Sequence, residues 1–188
     1  MDEQILIKQA QSGDTDAFEQ LARLYGAQVY NFCCRMTNNT HDAEDIAQDV
    51  FIKIYGGIKK FKHRGEGSFR RWVYTVANNA CTDALRKKKS RIRPDSLDAA
   101  IETEDGVLYN EPVSPESTPE ETVLKKERQE ILKQAIAELP AQFRQMIVLR
   151  DVRGLSYSDI AQITGNNPGT VKSKISRARA CLREQLKK

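Results

Sequence analysis

Apolar side chains recur every three or four positions through most of this chain, which is the period of an amphipathic helix. In the first half, such a run comprises Phe18, Leu21, Tyr25, Val29, Phe32 and Met36. Gly13 and an Asp14–Thr15 cap precede the run, so a separate short helix is predicted from Asp2 to Ser12. Residues 1–93 show no alternation of period two, and the pattern therefore predicts an all-α fold.

Glycines and capping residues divide the rest of the first half. A helix is predicted from near Thr40 to the pair Gly56–Gly57, and a long helix is predicted from Ser68 to about Lys89. Between them lies the loop "FKHRGEG", residues 61–67, whose two glycines interrupt any helical pattern.

The stretch from Arg93 to Glu121 is rich in acids and prolines and has no sustained periodicity, so it is predicted to be a flexible linker. It ends in "TPEE", a capping box with proline at the first helical position. The following helix stops before Pro140, and another ends at Gly154. The chain thus divides into a helical domain at 1–93, an acidic linker at 94–121 and a helical domain at 122–188.

Two short helices near the C-terminus have the features of a helix-turn-helix. Ser156 begins the first with a capping box, and Gly165 supplies the left-handed residue of a tight turn. Asn167 caps the second helix, with Pro168 at its first position. Ala161 is small, as two steeply crossing helices require at their closest approach.

The second of these helices has an apolar face and a polar face. At about 100° per residue, the inward face carries Val171, Ile175, Ala178 and Leu182. The opposite arc carries Lys172, Ser173, Ser176, Arg177 and Arg179. A basic amphipathic helix alone can be an ordinary solvated surface, but the preceding helix and turn favour DNA reading, with this helix entering the major groove N-terminus first.

The formal net charge of +4 conceals a strong partition along the chain. Residues 1–58 carry 4 basic and 9 acidic side chains, and residues 59–93 carry 12 basic and 2 acidic ones. Residues 94–121 carry 9 acids and neither Lys nor Arg, whereas residues 122–188 carry 14 basic and 6 acidic side chains. Two basic blocks separated by an acidic one indicate two nucleic-acid contacts on one chain.

Composition and the absence of known motifs argue against membrane proteins, zinc proteins and enzymes. No apolar run is long enough to span a bilayer and no signal-peptide pattern appears, so a cytoplasmic protein without membrane insertion is predicted. Cys33, Cys34, Cys81 and Cys181 form no CxxC pair and, with two histidines, no zinc-ligand spacing. We expect small buried or half-buried thiols without disulfides, with a redox role as the alternative. The chain has no P-loop, HExxH or GxSxG motif, so neither an enzyme nor a cofactor site is expected.

The segment "HDAEDIAQDVFIKIY", residues 41–55, has an acidic side. Its apolar face carries Ala43, Ala47, Val50 and Ile54. Another side carries Asp45, Gln48, Asp49 and Ile52. An acidic ridge repels DNA, so it indicates a contact for a basic protein partner, and a solvated helix face is the alternative.

The segment "FRRWVYTVANNACTDALRKKKSRIR", residues 69–93, combines an apolar stripe with a basic end. The stripe comprises Phe69, Trp72, Val73, Val76, Ala80 and Ala84, and other faces carry Arg70, Arg71, Asn78, Asn79 and Thr82. Trp72 suits either a core position or a base-stacking platform, whereas Asn79 can hydrogen-bond a base edge. The cluster Arg86–Lys89 suits phosphate contacts, with a solvated helix end as the alternative. The preceding loop can admit a backbone or an unstacked base.

Taken in order, four segments resemble the extracytoplasmic-function (group IV) sigma factors of bacterial RNA polymerase. They are "AEDIAQDVFIKIY", "SFRRWVYTVANNACTDALRKKK", "ELPAQFRQMIVLRDVRGLSYSDIAQITG" and "NPGTVKSKISRARACLREQL". The resemblance implies a region 2 helical bundle that binds the clamp coiled coil of core RNA polymerase and the −10 promoter element. It implies a region 4 helix-turn-helix that binds the flap and the −35 element. It also implies an anti-sigma protein as a partner, and a linker that runs through the channel later used by RNA.

The resemblance implies roles for individual residues by position. The implied polymerase-binding face is Asp45, Gln48, Asp49 and Ile52. The implied −10 contacts are Lys62, His63, Arg64, Ser68, Trp72, Asn79, Thr82, Arg86, Lys87 and Lys88, with the loop from Lys62 to Ser68 capturing an unstacked non-template base. The implied −35 contacts are Gly169, Thr170, Lys172, Ser173, Ser176, Arg177 and Arg179.

The chain departs from the wider family in two places. It lacks the wedge aromatics that housekeeping sigma factors carry near Thr75 and Val76, which implies less robust melting and greater promoter selectivity. Ser176 is small where other members can carry larger side chains, so the −35 sequence does not transfer from a relative. Two other functions stay open: a stand-alone helix-turn-helix regulator with an N-terminal dimerisation or sensor module, and a DNA recombinase. The latter needs an α/β catalytic domain that residues 1–93 do not predict.

Overall fold

The computed structural model describes residues 2–91 and 119–187, with side chains described at 2–90 and 127–187. The chain divides into an N-terminal and a C-terminal compact unit. Both are built from helices, and the described residues include no strand, which confirms the predicted all-α class. Most of the predicted acidic linker lies outside the described residues, so its flexibility and the predicted domain bounds stay predictions.

The helices match the predicted ones closely. The N-terminal unit contains α1 (Glu3–Ser12), α2 (Thr15–Thr37), α3 (Thr40–Gly57), a 3₁₀ turn (Ile58–Lys60) and α4 (Ser68–Arg91). The C-terminal unit contains α5 (Pro119–Glu138), α6 (Ala141–Ile147), α7 (Tyr157–Thr164) and α8 (Pro168–Gln185). One feature was not predicted: α6 continues into a π-helical turn at Val148–Val152 before Gly154.

Side-chain caps and left-handed residues set the helix ends in the N-terminal unit. Asp14 caps α2, because its carboxylate accepts the N–H groups of Asp16 at 2.9 Å and Ala17 at 3.0 Å. Gly13, with φ of 101°, ends α1 in the left-handed conformation that glycine adopts without steric cost. The predicted break between the first two helices is therefore confirmed.

Helix α2 lies at the centre of the N-terminal unit, where it packs against α1, α3 and α4. Val29 and Phe32 are fully buried, and the Phe32 ring meets Tyr74 of α4 edge to face at 5.6 Å. Asn78, which the sequence places on a polar face of α4, is instead only 4% exposed. That prediction was wrong, because α2 and α3 both pack on α4 and bury a wider band of it than one stripe.

The C-terminal unit is organised around one continuous apolar segment. Met146, Ile147, Val148 and Leu149 are all buried, and α6 packs against α8. Ile160 and Ile163 of α7 are also buried. The segment is thus the core of the unit, and α7 and α8 are held around it.

The cysteines behave as small apolar residues. Cys33, Cys34 and Cys81 are buried and Cys181 is half-buried, as predicted, and all four are free thiols. A hydrogen bond with Cys33, together with burial, raises the pKa of Cys81 and keeps it protonated. The described residues hold no cluster of His, Cys, Asp and Glu side chains placed to bind a metal ion. In the same residues, no helix is long and apolar enough to cross a membrane.

Candidate nucleic-acid interface

Helices α7 and α8 form a helix-turn-helix in which both N-termini and the connecting turn are capped. Ser156 and Asp159 exchange backbone-to-side-chain hydrogen bonds of 3.1 and 3.4 Å in a capping box. Gly165 ends α7 with φ of 66°. The side chain of Asn167 then accepts the N–H of Thr170 at 2.7 Å and starts α8. The predicted caps and turn are confirmed.

Helix α8 buries the predicted face and exposes the predicted arc. Val171, Ile175 and Ala178 are at most 1% exposed, and Leu182 is half-buried. The exposed side carries Gly169, Lys172, Ser173, Ser176, Arg177 and Arg179, with Thr170 half-buried at its edge. A positive, hydroxyl-bearing face of this kind can donate hydrogen bonds to phosphates and to base edges.

Arg179 differs from the other cations of this arc. Its Nε donates to Oδ2 of Asp151 at 3.0 Å, and its Nη2 contacts the second carboxylate oxygen. This hydrogen bonding raises the pKa of Arg179. Lys172 and Arg177, by contrast, have no ion-pair partner among the described residues. The pair with Asp151 therefore ties α8 to the π-helical turn.

Three further contacts brace the same motif, and hydrophobic periodicity did not reveal them. The guanidinium of Arg150 lies 4.8 Å from the ring centroid of Tyr157, and its Nη1 donates to the carbonyl of Leu155 at 2.7 Å. Lys174 donates to the side-chain oxygen of Asn166 at 3.1 Å. These contacts join the π-helical turn to α7 and the turn residue to α8.

In the N-terminal unit, the loop at residues 61–67 begins on an aromatic cluster. The Phe61 ring stacks on Trp72 with centroids 5.1 Å apart, and meets Phe69 edge to face at 5.3 Å. Trp72 is half-buried, and a Cβ on Gly57 would lie 3.0 Å from its ring. These are contacts of a core residue, and the base-stacking role of Trp72 stays a prediction.

Two hydrogen bonds at Ser68 close the other end of the loop. The hydroxyl of Ser68 accepts the N–H of Arg64 at 3.2 Å, and the Ser68 N–H donates to Gly65 at 3.2 Å. Gly65 and Gly67 have φ of 92° and 68°, which favour glycine. Ser68 is only 6% exposed, and its hydroxyl shapes the loop; its implied role as a −10 contact stays a prediction. Lys62, His63 and Arg64 are exposed.

The basic end of α4 remains at the surface. Asn79, Arg86, Lys87 and Lys88 are exposed, whereas Thr82 is half-buried and donates its hydroxyl to the carbonyl of Asn78 at 2.8 Å. Arg86 pairs with Asp83 at 3.4 Å and Lys88 with Asp42 at 3.3 Å. Three of the four partners are exposed and Asp42 is half-buried, so each pair contributes about 0–1 kcal/mol and can exchange for a phosphate.

Helix α3 buries its apolar face and exposes its acidic side. Asp45, Gln48, Asp49 and Ile52 are all exposed. Ile52 is 69% exposed, and Tyr55, one turn farther along, is 52% exposed. An apolar group set among carboxylates suits a protein partner better than water or DNA. Sequence analysis did not single out Tyr55, because an aromatic at helical spacing is ordinarily a core residue.

Comparison with known proteins identifies these two units. Family models for sigma-70 region 2 and sigma-70 region 4 match residues 21–91 and 129–182. Over 183 residues the chain is 39% identical to the ECF RNA polymerase sigma factor SigW of Bacillus subtilis, which covers 96% of this chain and 95% of that protein. It is 34% identical over 182 residues to the ECF RNA polymerase sigma-E factor of Escherichia coli, covering 96% of this chain and 92% of that protein.

Solved structures show the same architecture. The sigma factor RpoE of Bartonella quintana, in complex with the anti-sigma factor NepR, matches with a TM-score of 0.67 and 26% identity over 90% of this chain and 96% of that one. CnrH, in complex with the cytosolic domain of CnrY, matches in fold with a TM-score of 0.66 and 22% identity over 98% of this chain and 97% of that one. The two regions together are those of a sigma factor. At the level of sequence, the chain belongs to the ECF RNA polymerase sigma factors.

Because Trp72 lies close to Gly57 and not to Gly56, substitution of these two glycines should have opposite effects on stability. Gly56→Ala should raise the free energy of unfolding by about 0.5–1 kcal/mol, because alanine favours a helix and nothing lies within 4 Å of the new Cβ. Gly57→Ala should instead lower it by about 1 kcal/mol, because an overpacking cost of about 1–3 kcal/mol outweighs that gain. Urea unfolding followed by the fluorescence of Trp72, the single tryptophan, measures both. Equal stabilisation by the two substitutions would show that the ring is not held in place.

Proposed function

We propose that this chain directs core RNA polymerase to specific promoters by reading the −35 element with its C-terminal unit and the −10 element with its N-terminal unit. The observation that carries the proposal is the exposed arc of α8, set on a capped helix-turn-helix in a chain whose other unit matches sigma region 2. The function is recognition without catalysis or a cofactor, and its place is the cytoplasm.

At the −35 element, α8 would enter the major groove from its N-terminus. Arg177 and Lys172 have no ion-pair partner among the described residues and can hydrogen-bond guanine O6 and N7, whereas Ser173 and Ser176 can pair with several bases. Gly169 and Thr170 lie in the first turn, where backbone N–H groups can meet a phosphate. Because Asp151 holds Arg179, we assign to Arg179 the placement of the helix.

At the −10 element, we propose that the exposed tip of the loop, Lys62, His63 and Arg64, captures an unstacked base. Asn79 would contact the upstream edge of the element, with Thr82 beside it. Arg86, Lys87 and Lys88 would bind phosphates, because their surface ion pairs are weak enough to exchange. Trp72 would support the loop from below, and Ser68 would keep its shape.

The acidic side of α3 is proposed as the contact for the clamp coiled coil of core polymerase. Asp45 and Asp49 would steer and pair with basic residues of that partner, with Gln48 between them. Ile52 would supply apolar contact, extended by Tyr55. The C-terminal unit would bind the flap.

An anti-sigma protein is proposed as a further partner. The RpoE and CnrH structures are both complexes, and that of RpoE is with an anti-sigma factor. A stand-alone regulator is not favoured, because its N-terminal module would not be expected to match sigma region 2.

Purified chain added to core polymerase that lacks any other sigma factor should give discrete run-off transcripts from a library of genomic promoter fragments. Core polymerase alone supplies the control. Tight binding to a palindrome without polymerase, together with an absence of specific transcripts, would favour the stand-alone regulator instead.

Reversing one charge on the proposed clamp-binding side should weaken polymerase binding. Asp49→Lys places a cation opposite a basic partner and should lower the affinity for core polymerase by tenfold or more, which corresponds to a loss of at least about 1.4 kcal/mol. Glu19→Lys is the matched control, because Glu19 is also an exposed acid of the N-terminal unit but lies on α2. Titration of labelled chain with core polymerase measures both. A similar loss in the two variants would mean that net charge, not this side of α3, controls binding.

Arg177→Ala should relax selection at one position of the −35 element by about 1–3 kcal/mol, because one bidentate base contact is lost. Relative initiation rates on promoters that differ by single −35 bases measure the effect. Arg179→Ala is the comparison, and should weaken all −35 sequences alike. If Arg177→Ala lowered the initiation rate equally on all −35 sequences, Arg177 would be a phosphate contact and not a base contact.

A further inference from the structure

We propose that α1 sets the position of the loop that reads the −10 element, and that Gln11 is its positioning residue. The inference rests on the function proposed above for that loop. Helix α1 lies before the residues that match sigma region 2, and none of its side chains was singled out by the sequence. Its last turn nevertheless contacts the backbone where the loop begins.

Gln11 makes two hydrogen bonds across the fold. Its side-chain Nε2 donates to the carbonyl of Ile58 at 3.0 Å and to the carbonyl of Phe61 at 2.7 Å. These carbonyls bracket the 3₁₀ turn, and the Phe61 N–H closes that turn on Ile58 at 3.0 Å. Both N–H groups of one amide are therefore used to fix the point at which the chain leaves the turn and enters the loop.

The side chain of Phe61 is also held by contacts. Its ring stacks on Trp72 and meets Phe69 edge to face. At the far end of the loop, Ser68 accepts the Arg64 N–H. Both ends of the loop are thus held, and this limits where the exposed residues between them can lie.

Helix α1 is itself attached to the same cluster. Leu6, Ile7 and Ala10 are buried. The hydroxyl of Tyr25 donates to the carboxylate of Glu3, and the Tyr25 ring meets Phe69 edge to face at 5.6 Å. Burial and this hydrogen bond raise the pKa of Tyr25, so the hydroxyl keeps its proton. A shift of α1 would therefore reach the loop along two routes.

A site that discriminates bases must hold its groups to within about 0.5 Å. Losing the Gln11 contacts would let the loop entry move while leaving the cations of its tip intact. The expected consequence is reduced discrimination at the −10 element with phosphate attraction preserved.

The test replaces Gln11 in the full chain bound to core polymerase. Gln11→Glu turns a carboxylate toward the two carbonyls, and Gln11→Leu keeps an apolar volume without donors. The matched control is Gln9→Glu, which makes the same change at an exposed site of α1. Gln11→Lys restores a donor. Initiation rates are compared on promoters that carry single substitutions in either element.

Gln11→Glu and Gln11→Leu should lower selectivity at the base captured by the loop on the order of fivefold, the size expected when one or two hydrogen bonds are lost. Selectivity at −35 should be unchanged, Gln9→Glu should behave as the parent, and Gln11→Lys should recover part of the loss. A merely destabilised protein would lose initiation at every promoter alike, which would overturn the inference.

A loop variant separates this inference from the function on which it rests. If Arg64→Ala lowers −10 selectivity but Gln11→Glu and Gln11→Leu do not, the positioning role is refuted and the loop assignment stands. If Arg64→Ala and the two Gln11 variants all leave −10 selectivity unchanged, the loop assignment fails and the inference falls with it.

Discussion

One-sided burial of helices is the constraint on which the rest of this molecule depends. Each residue turns a helix by about 100°, so burying Val171 and Ile175 places Lys172 and Ser176 on the outside of α8. A polar substitution at Ile175 would thus threaten the fold and the reading face together. In α3 the same rule places an acidic side opposite the buried apolar one. Burial of the apolar face therefore determines which side chains each helix presents to solvent.

Local chemistry made the helices and their ends predictable. The capping box at Ser156, the left-handed Gly165 and the cap of Asn167 depend only on residues a few positions apart. Contacts between elements were not predictable in this way. The pair of Arg179 with Asp151 spans 28 residues, and the bonds from Gln11 span 47 and 50. No periodicity encodes such distances. The π-helical turn was not predicted because an α-helix and a single π-helical turn have nearly the same hydrophobic pattern.

The basic side chains of the two units differ in how firmly their ion pairs hold them, and the strength of each ion pair indicates whether the cation is available to DNA. The side chains of Lys88 and Asp42 are 59% and 46% exposed, so their ion pair contributes about 0–1 kcal/mol and can exchange for a phosphate. The guanidinium of Arg179 makes two contacts with one carboxylate, a geometry that is stronger and more directional. A weakly paired cation such as Lys88 suits phosphate binding, which weakens as the salt concentration rises. A firmly paired cation such as Arg179 suits the alignment of a helix.

Two proposed readers on one polymerase need not bind tightly, because joining them makes the second contact intramolecular and raises its effective concentration. Each must still be stiff, since that gain is lost when geometry prevents both from engaging at once. Stiffness in small units cannot come from a large core. In this structure, specific polar contacts hold the base of each proposed reading element: Gln11 under the loop, and Asp151 with Lys174 around α8. Residues that never touch DNA can in this way decide how sharply DNA is read.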